Sequence, residues 1–293
     1  MSYSLYLGCT IPIRGQNYEL SARKVAEVLG IEINDPEDFA CCGFPVKSTD
    51  SFATLLMAAR NLAVAADNGG DVVTLCNSCG SVLREANVEL TEDEELRDRV
   101  NKELAKIGRE FKPGVRVRHF SRMLIEDIGL DAIKEKITRP LTMLSISAHY
   151  GCHYMRPKHI HTGFEDPENP QTLEKIIKVT GATAVDYQTK LDCCGGAILA
   201  VEEDIALRMA KKKLDELHEK EVDALISSCP FCSVMYEDNQ RKIESTYDVD
   251  YKLPVMFFTQ LLGLAFGLDK KELGFRLNKV KPKELLAKLE GEE

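Results

Sequence analysis

Nucleotide-binding signatures are missing from this chain. No two of its 19 glycines are separated by a single residue, so no G-x-G dinucleotide fingerprint exists, and no P-loop appears. The compact C-x2-C-x2-C-x3-C run of ferredoxins is absent too. The 38 basic residues are outnumbered by 47 acidic ones, and the net charge of -9 argues against broad electrostatic binding to nucleic acid or to an anionic membrane. An anionic ligand must therefore meet a local basic patch. The longest apolar run, Leu253 to Leu268, contains Pro254 and Gln260 and falls short of the ~20 residues that span a bilayer. No basic start leads into an apolar stretch at Met1-Ser2-Tyr3-Ser4, so no signal peptide is expected and the expected location is cytoplasmic.

Cysteine is what the chain has in excess, and it is placed in a pattern that occurs twice. The first copy is Gly8-Cys9, then Cys41-Cys42-Gly43, then Cys76-Asn77-Ser78-Cys79. The second is Gly151-Cys152, then Cys193-Cys194-Gly195, then Cys229-Pro230-Phe231-Cys232. Together they use all 10 cysteines. Between the vicinal pair and the CxxC lie 33 residues in one copy and 34 in the other, while the lone cysteine precedes its pair by 31 and 40 intervening residues. This is a duplication. In a chain of 293 residues with 44% hydrophobic content it implies two domains, divided near Thr138-Arg139-Pro140 into 1–140 and 141–293.

Hydropathy patterning repeats in the same order. Tyr3 to Gly8 reads as a strand delivering Cys9; a helix with Leu20, Val25, Ala26 and Leu29 on its buried face stops at Gly30. Ile31 to Ile33 is a weak strand, and Asp50 or Ser51 caps a helix ended by Asn68-Gly69-Gly70. Asp71 to Leu75 is a buried strand running into Cys76. In the second half the strands are Thr142 to Ala148, Thr183 to Tyr187 and Val222 to Ser227, with helices at Leu173 to Val179 and Glu202 to Lys220. Phe120-Ser121 matches Phe258-Thr259, with Ser121 and Thr259 as expected N-caps. An acidic helical insertion near Glu92 to Lys106 and a charged tail from Lys279 to Glu293 read as solvated helices. The expected fold is α/β: two tandem, pseudo-symmetric units, each a small parallel sheet flanked by helices, with the cysteine loops converging at the carboxyl ends of the strands.

Convergent thiols admit several chemistries. A disulfide framework fits poorly, because adjacent Cα atoms lie ~3.8 Å apart, shorter than the usual disulfide range, and an odd count leaves one thiol over. Tetrahedral zinc needs four ligands and leaves the fifth idle, although a zinc-stapled interaction scaffold stays open. Cys229-Pro230-Phe231-Cys232 alone suits thiol-disulfide exchange, but the other cysteines beside it do not. Iron-sulfur ligation accounts for most of the pattern.

A lone Cys, then Cys-Cys-Gly, then CxxC, present twice, resembles the cysteine-rich CCG domain, and the whole chain resembles the B subunit of methanogen heterodisulfide reductase. That resemblance implies a non-cubane 4Fe-4S cluster per unit, one on Cys9, Cys41, Cys42, Cys76 and Cys79, the other on Cys152, Cys193, Cys194, Cys229 and Cys232. The implied reaction is reduction of the mixed disulfide of coenzyme M and coenzyme B. The implied partners are a ferredoxin-like C subunit, a flavin-containing A subunit, and hydrogenase or formate dehydrogenase in a larger complex. Anionic substrates call for cations, and His149 to His161 holds four of the 6 histidines beside Cys152; His153 and Arg156 are the candidate catalytic contacts. The rival within the family is an electron-transfer protein serving lactate, glycolate, fumarate or quinones.

Overall fold

The computed structural model describes residues 2–161 and 163–291. Its first half runs β1 (Ser2–Tyr6), α1 (Ile11–Arg14), α2 (Gln16–Leu29), β2 (Glu32–Asn34), α3 (Ser51–Asp67), β3 (Asp71–Thr74), α4 (Asn77–Glu92), α5 (Glu94–Leu104), β4 (Arg116–His119), α6 (Phe120–Met123) and α7 (Leu130–Glu135). The second runs β5 (Ser145–His149), α8 (Thr172–Val179), β6 (Thr183–Ala184), α9 (Glu203–Glu219), β7 (Ala224–Ser227), α10 (Pro230–Ser233), α11 (Gln240–Tyr247), β8 (Val255–Phe257), α12 (Phe258–Ala265) and α13 (Lys283–Glu290).

Two 4-stranded sheets result, in the orders β2-β1-β3-β4 and β6-β5-β7-β8. Every pairing is parallel, as short apolar strands joined by helical crossovers require. The expected three strands per half are therefore four: Arg116–His119 and Val255–Phe257 each add an outer strand. Both are short and lead straight into a helix, which hides them from a period-2 reading.

Alternation along the strands assigns the two faces of each sheet to different cores. Tyr3 and Leu5 of β1 join Ile146 and Ala148 of β5 in one core shared by the halves, filled by Tyr18 and Val25 of α2 and by Phe258 and Leu261 of α12. Tyr18 stacks on Phe257 with centroids 4.0 Å apart, and Ser21 Oγ lies 2.7 Å from Thr259 Oγ1. Packing of α2 on α12 is mirrored by packing of α8 on α6 and α7. The opposite faces, with α3, α4, α5 and α9, form a second core that includes Cys42, Cys76, Cys79, Cys194, Cys229 and Cys232.

Local departures from expectation have plain causes. Asp50 does cap α3, accepting from the Ala53 amide at 2.8 Å, and Gly30 ends α2 in the left-handed region. Ser121 and Thr259 are not N-caps. Helix α6 starts two residues earlier than a Ser121 cap implies and is capped by His119, whose Nδ1 accepts from the Ser121 amide, while Thr259 is spent on Ser21. Leu20 is 44% exposed, since α2 turns Tyr18, Ala22 and Val25 inward instead. The charged tail is not wholly solvated: α13 buries Leu285 and Leu289 in the shared core, and the final residues 292–293 lie outside the described residues. Likewise α5 buries Val100 and Leu104.

Ion pairs join β4 to the helical turn that follows α6. Arg118, 5% exposed at its side chain, grips Asp127 through Nη1 and Nη2 at 2.6 and 2.5 Å, and Tyr3 donates its hydroxyl to the same carboxylate at 2.5 Å. The Arg118 hydrogen bond holds the Asp127 carboxyl below its ordinary range, against the opposing effect of burial. Asp127→Asn is expected to cost about 3 kcal/mol in urea denaturation at neutral pH, since it leaves the buried Arg118 guanidinium only the longer contact with Glu126 at 3.5 Å. The contribution is fully present above the unfolded carboxyl pKa and is lost as pH falls through the lowered folded value. The variant should therefore lose less stability than the native chain on acidification.

Candidate metal centre

Three loops in each half deliver the thiols, and all leave the carboxyl ends of strands. Cys9 follows β1 and Cys76 follows β3, so these two flank the crevice where the strand order reverses. Cys152 and Cys229 follow β5 and β7 in the same way. Cys76 and Cys229 are the N-cap residues of α4 and α10, extended at φ -127° and -138°, with no side-chain cap bond. The Cys79 and Cys232 amides of the first helical turns thus pull Cys76 and Cys229 toward thiolate.

Glycine makes the close approach possible. Gly8 and Gly151, at φ 67° and 74°, occupy equivalent positions, and a Cβ there would stand 2.8 Å from Cys79 Sγ or 3.1 Å from Cys232 Sγ. The vicinal pairs turn through Gly43 and Gly195, and the Gly43 and Gly195 amides donate to Cys41 Sγ and Cys193 Sγ at 3.5 and 3.4 Å.

The sulfurs form a single succession rather than two isolated sets. In the first half Cys9 neighbours Cys41, Cys41 neighbours Cys42, Cys42 neighbours Cys79 and Cys79 neighbours Cys76. In the second, Cys152 neighbours Cys193, and Cys194, Cys232 and Cys229 follow in the same order. Cys76 Sγ and Cys229 Sγ, from opposite halves, are 4.0 Å apart and join the two series. All ten cysteines are free thiols. Only Cys9 is exposed; Cys42, Cys76, Cys79, Cys194, Cys229 and Cys232 are buried.

Polar contacts across the halves fix this junction from behind. Asn77 Nδ2 donates to the Tyr150 carbonyl and to Ser228 Oγ at 3.2 Å, and Ser228 Oγ donates to the Tyr150 carbonyl at 3.1 Å. His119 Nε2 lies 2.9 Å from the Ser228 carbonyl, so that nitrogen carries the proton. Burial pushes the imidazole down to about 4, so it stays neutral.

A cleft of about 730 Å³ opens on this junction. Cys9, Cys42, Cys76 and Cys79 line it from the first half, with Phe44 and Lys47 beside them and Phe231 facing from the second. Lys47 is also ion-paired with Glu85. The His153 ring packs edge-on against Phe44 with centroids 4.9 Å apart, and burial lowers its pKa. Arg156 is exposed and is not among the residues lining the cleft. His159 is exposed, whereas His161 is partly buried against Arg84 and Arg122, and burial first and those cations second draw it down to about 3. His149 is fully buried, and Lys213 is fully buried behind the second thiol set, where burial draws its ammonium down to about 8. Sequence reading passed over Phe44, Lys47 and Lys213. Phe44 follows Cys-Cys-Gly directly and Lys47 stands three residues on; Lys213 stands 18 residues after Gly195, as Asn61 stands 18 after Gly43.

This donor set fits an anionic iron-sulfur group better than any single ion. Hydrogen bonding to neighbouring cysteines, then burial, then neighbouring sulfur charge push the Cys79 and Cys232 thiols well up, so the set holds ten thiolates together only with cations among the sulfurs. Among the described residues the only trio of donor groups within 4.8 Å of one another is His149, Cys194 and Cys232, one ligand short of a structural zinc site.

Residues 3–84 and 146–237 match the cysteine-rich domain family, CCG. The chain is 36% identical over 290 residues to the B subunit of ferredoxin:CoB-CoM heterodisulfide reductase from Methanosarcina mazei, covering 98% of this chain and 96% of that one. It is 34% identical, with the same coverage, to the B subunit of ferredoxin/F(420)H(2)-dependent CoB-CoM heterodisulfide reductase from Methanosarcina acetivorans. It is 31% identical to the 8-methylmenaquinol:fumarate reductase membrane anchor subunit of Wolinella succinogenes, covering 94% of this chain and 96% of that one. In this chain no helix among the described residues is long and apolar enough to cross a membrane. A crystal structure of a hypothetical protein from Helicobacter pylori shares the fold with a TM-score of 0.79 at 17% identity, covering 96% of this chain and 52% of that one.

Fold and sulfur pattern together define an oxidoreductase of the iron-sulfur, electron-transferring kind, built from a duplicated unit and working beside partner subunits. The chain belongs to the CCG cysteine-rich domain family, in the group that contains the B subunit of heterodisulfide reductase. If the glycines serve sulfur approach, Gly8→Ala and Gly151→Ala should each remove roughly half of the iron and acid-labile sulfide from anoxically purified protein while leaving the far-ultraviolet circular dichroism intact.

Proposed function

We propose that this chain reduces the mixed disulfide CoM-S-S-CoB to the thiols of coenzyme M and coenzyme B, as two of its relatives are named for doing. The proposed cofactors are two non-cubane 4Fe-4S clusters, one on Cys9, Cys41, Cys42, Cys76 and Cys79 and one on Cys152, Cys193, Cys194, Cys229 and Cys232. The duplicated units 1–140 and 141–293 would contribute one each. The observation that carries the reading is the 4.0 Å approach of Cys76 to Cys229 beneath a cleft shared by both halves. A disulfide takes up two electrons and two protons and yields two sulfurs, and two sulfur sets joined at Cys76 and Cys229, the first of them lining the cleft, suit that stoichiometry.

When bound, the clusters supply single electrons and a place for each product sulfur. The chain's own residues do the rest. Phe44 and Phe231 wall the cleft and keep water from the scissile bond, and Lys47 offers a cation at its edge. His153, packed against Phe44, would deliver a proton to a departing thiolate, and Arg156, outside the cleft, would meet an anionic end of the substrate. Electrons would come from a ferredoxin-like C subunit with a flavin-containing A subunit, fed by hydrogenase or formate dehydrogenase. The quinol and fumarate chemistry in the name of the Wolinella relative supports a second reading, an electron-transfer protein without disulfide activity.

A reduced-dye assay with CoM-S-S-CoB, lactate and fumarate separates the two. Turnover of the heterodisulfide alone is expected. Cys42→Ser and Cys194→Ser should each abolish it, and His153→Gln should lower kcat about 100-fold with KM little changed. Full activity with either cysteine set disabled would contradict a mechanism that uses both.

A further inference from the structure

The two sulfur pockets have unequal surroundings, and the inequality sits at matched positions. Three residues before the lone cysteine stand Tyr6 in the first half and His149 in the second. Eighteen residues after the glycine of the vicinal pair stand Asn61 and Lys213; four after the last cysteine stand Leu83 and Tyr236. In the first half both polar groups are spent on the loop itself. Tyr6 donates its hydroxyl to the Ala40 carbonyl, and Asn61 accepts from the Ala40 amide at 2.8 Å and donates to the Cys41 carbonyl at 3.1 Å.

The second half leaves its polar groups unspent. Among the described residues neither ring nitrogen of His149 has a partner at hydrogen-bonding geometry, the Lys190 backbone being the last of the influences on it, yet a ring nitrogen lies within 4.8 Å of Cys194 Sγ and Cys232 Sγ. The Tyr236 hydroxyl is buried and equally unpartnered, on a ring packed edge-on to His149 at 4.9 Å. Lys213, 0% exposed, is held only by uncharged groups: it donates to the Thr189 carbonyl and to the Lys190 carbonyl at 3.0 Å, and lies 5.0 Å over the Tyr187 ring. The carboxylates nearest it are engaged elsewhere, Asp192 with Lys212 at 2.8 Å and Glu216 with the Thr189 amide and hydroxyl at 2.9 and 2.8 Å. A buried ammonium without a bonded carboxylate calls for other negative charge, and after Asp192 the sulfurs of Cys232 and Cys194 attract it most strongly.

We propose that His149, Lys213 and Tyr236 make the second pocket the more readily reduced of the two, so that an incoming electron settles there first. The inference rests on the reading that both pockets hold iron-sulfur clusters. A buried cation and unspent donors beside sulfur favour the more negative, reduced state of such a group, whereas the first pocket's cation, Lys47, is ion-paired with Glu85 and its polar residues at the matched positions are spent on the loop. The donor is external, a reduced partner subunit in the complex or dithionite in the test. Each step adds one electron and breaks no bond.

The test is an anoxic potentiometric titration with dithionite, followed by electron paramagnetic resonance and visible absorption. Native protein should reduce in two separated steps, the higher belonging to the pocket altered by Cys194→Ser. Lys213→Met should move that step to lower potential and leave the other in place, and Lys213→Arg should restore it. Tyr236→Phe, which removes one oxygen and keeps the ring, should shift the same step by less. Two clusters whose potentials are unmoved by both Lys213→Met and Tyr236→Phe, or shifted equally, would overturn the inference and spare the functional reading. Protein without iron would overturn both, and the metal count taken beforehand reveals it.

Discussion

Sulfur crowding is the constraint on which the molecule depends. Ten thiols brought into one succession, with a 4.0 Å contact between halves, repel one another as soon as they ionise. The fold must therefore spend conformational effort to gather them, through glycines at positive φ and amides aimed at sulfur, and cations must be added to keep them together. Two parallel sheets suit this task because each places several loops at the same edge. The duplication then sets two such edges against each other.

The shared core explains why the edges meet with little freedom. The Tyr18–Phe257 stack is worth about 0.5–1.5 kcal/mol beyond its buried area, and the Ser21–Thr259 hydrogen bond about 1 kcal/mol. Those contacts join α2 of the first half to the corner between β8 and α12 of the second, and the Asn77, His119 and Ser228 web lies directly behind Cys76 and Cys229. Packing and chemistry are thus coupled at one place: a shift of either sheet would open the sulfur junction. Pseudo-symmetry is close in the backbone and broken in the polar side chains, where Tyr6 and Asn61 stand opposite His149 and Lys213.

Much of this was legible from residue order. The cysteine spacings gave the duplication, the loops that hold the thiols, and the parallel α/β class, because a strand ending at Cys76 or Cys229 can be read from Val72-Val73 or Leu225-Ile226. The outer strands were not legible, being three or four residues long and fused to a helix start. Ser121 was misread as a cap because nothing local reveals that His119 is buried and oriented by Ser228 more than 100 residues away. The inward turn of His149 and Lys213 was hidden for a like reason. A polar residue beside a cysteine motif reads as exposed until the halves are superimposed and its counterpart is seen to be spent on the backbone.

The central claim is that these thiols hold iron with sulfide in two pockets. Metal and sulfide analysis with Mössbauer spectroscopy on anoxically purified protein tests it most directly. The account predicts about eight iron and eight sulfide per chain, in two spectroscopically distinct clusters. A colourless protein carrying zinc, or a single cluster's worth of iron, would contradict it.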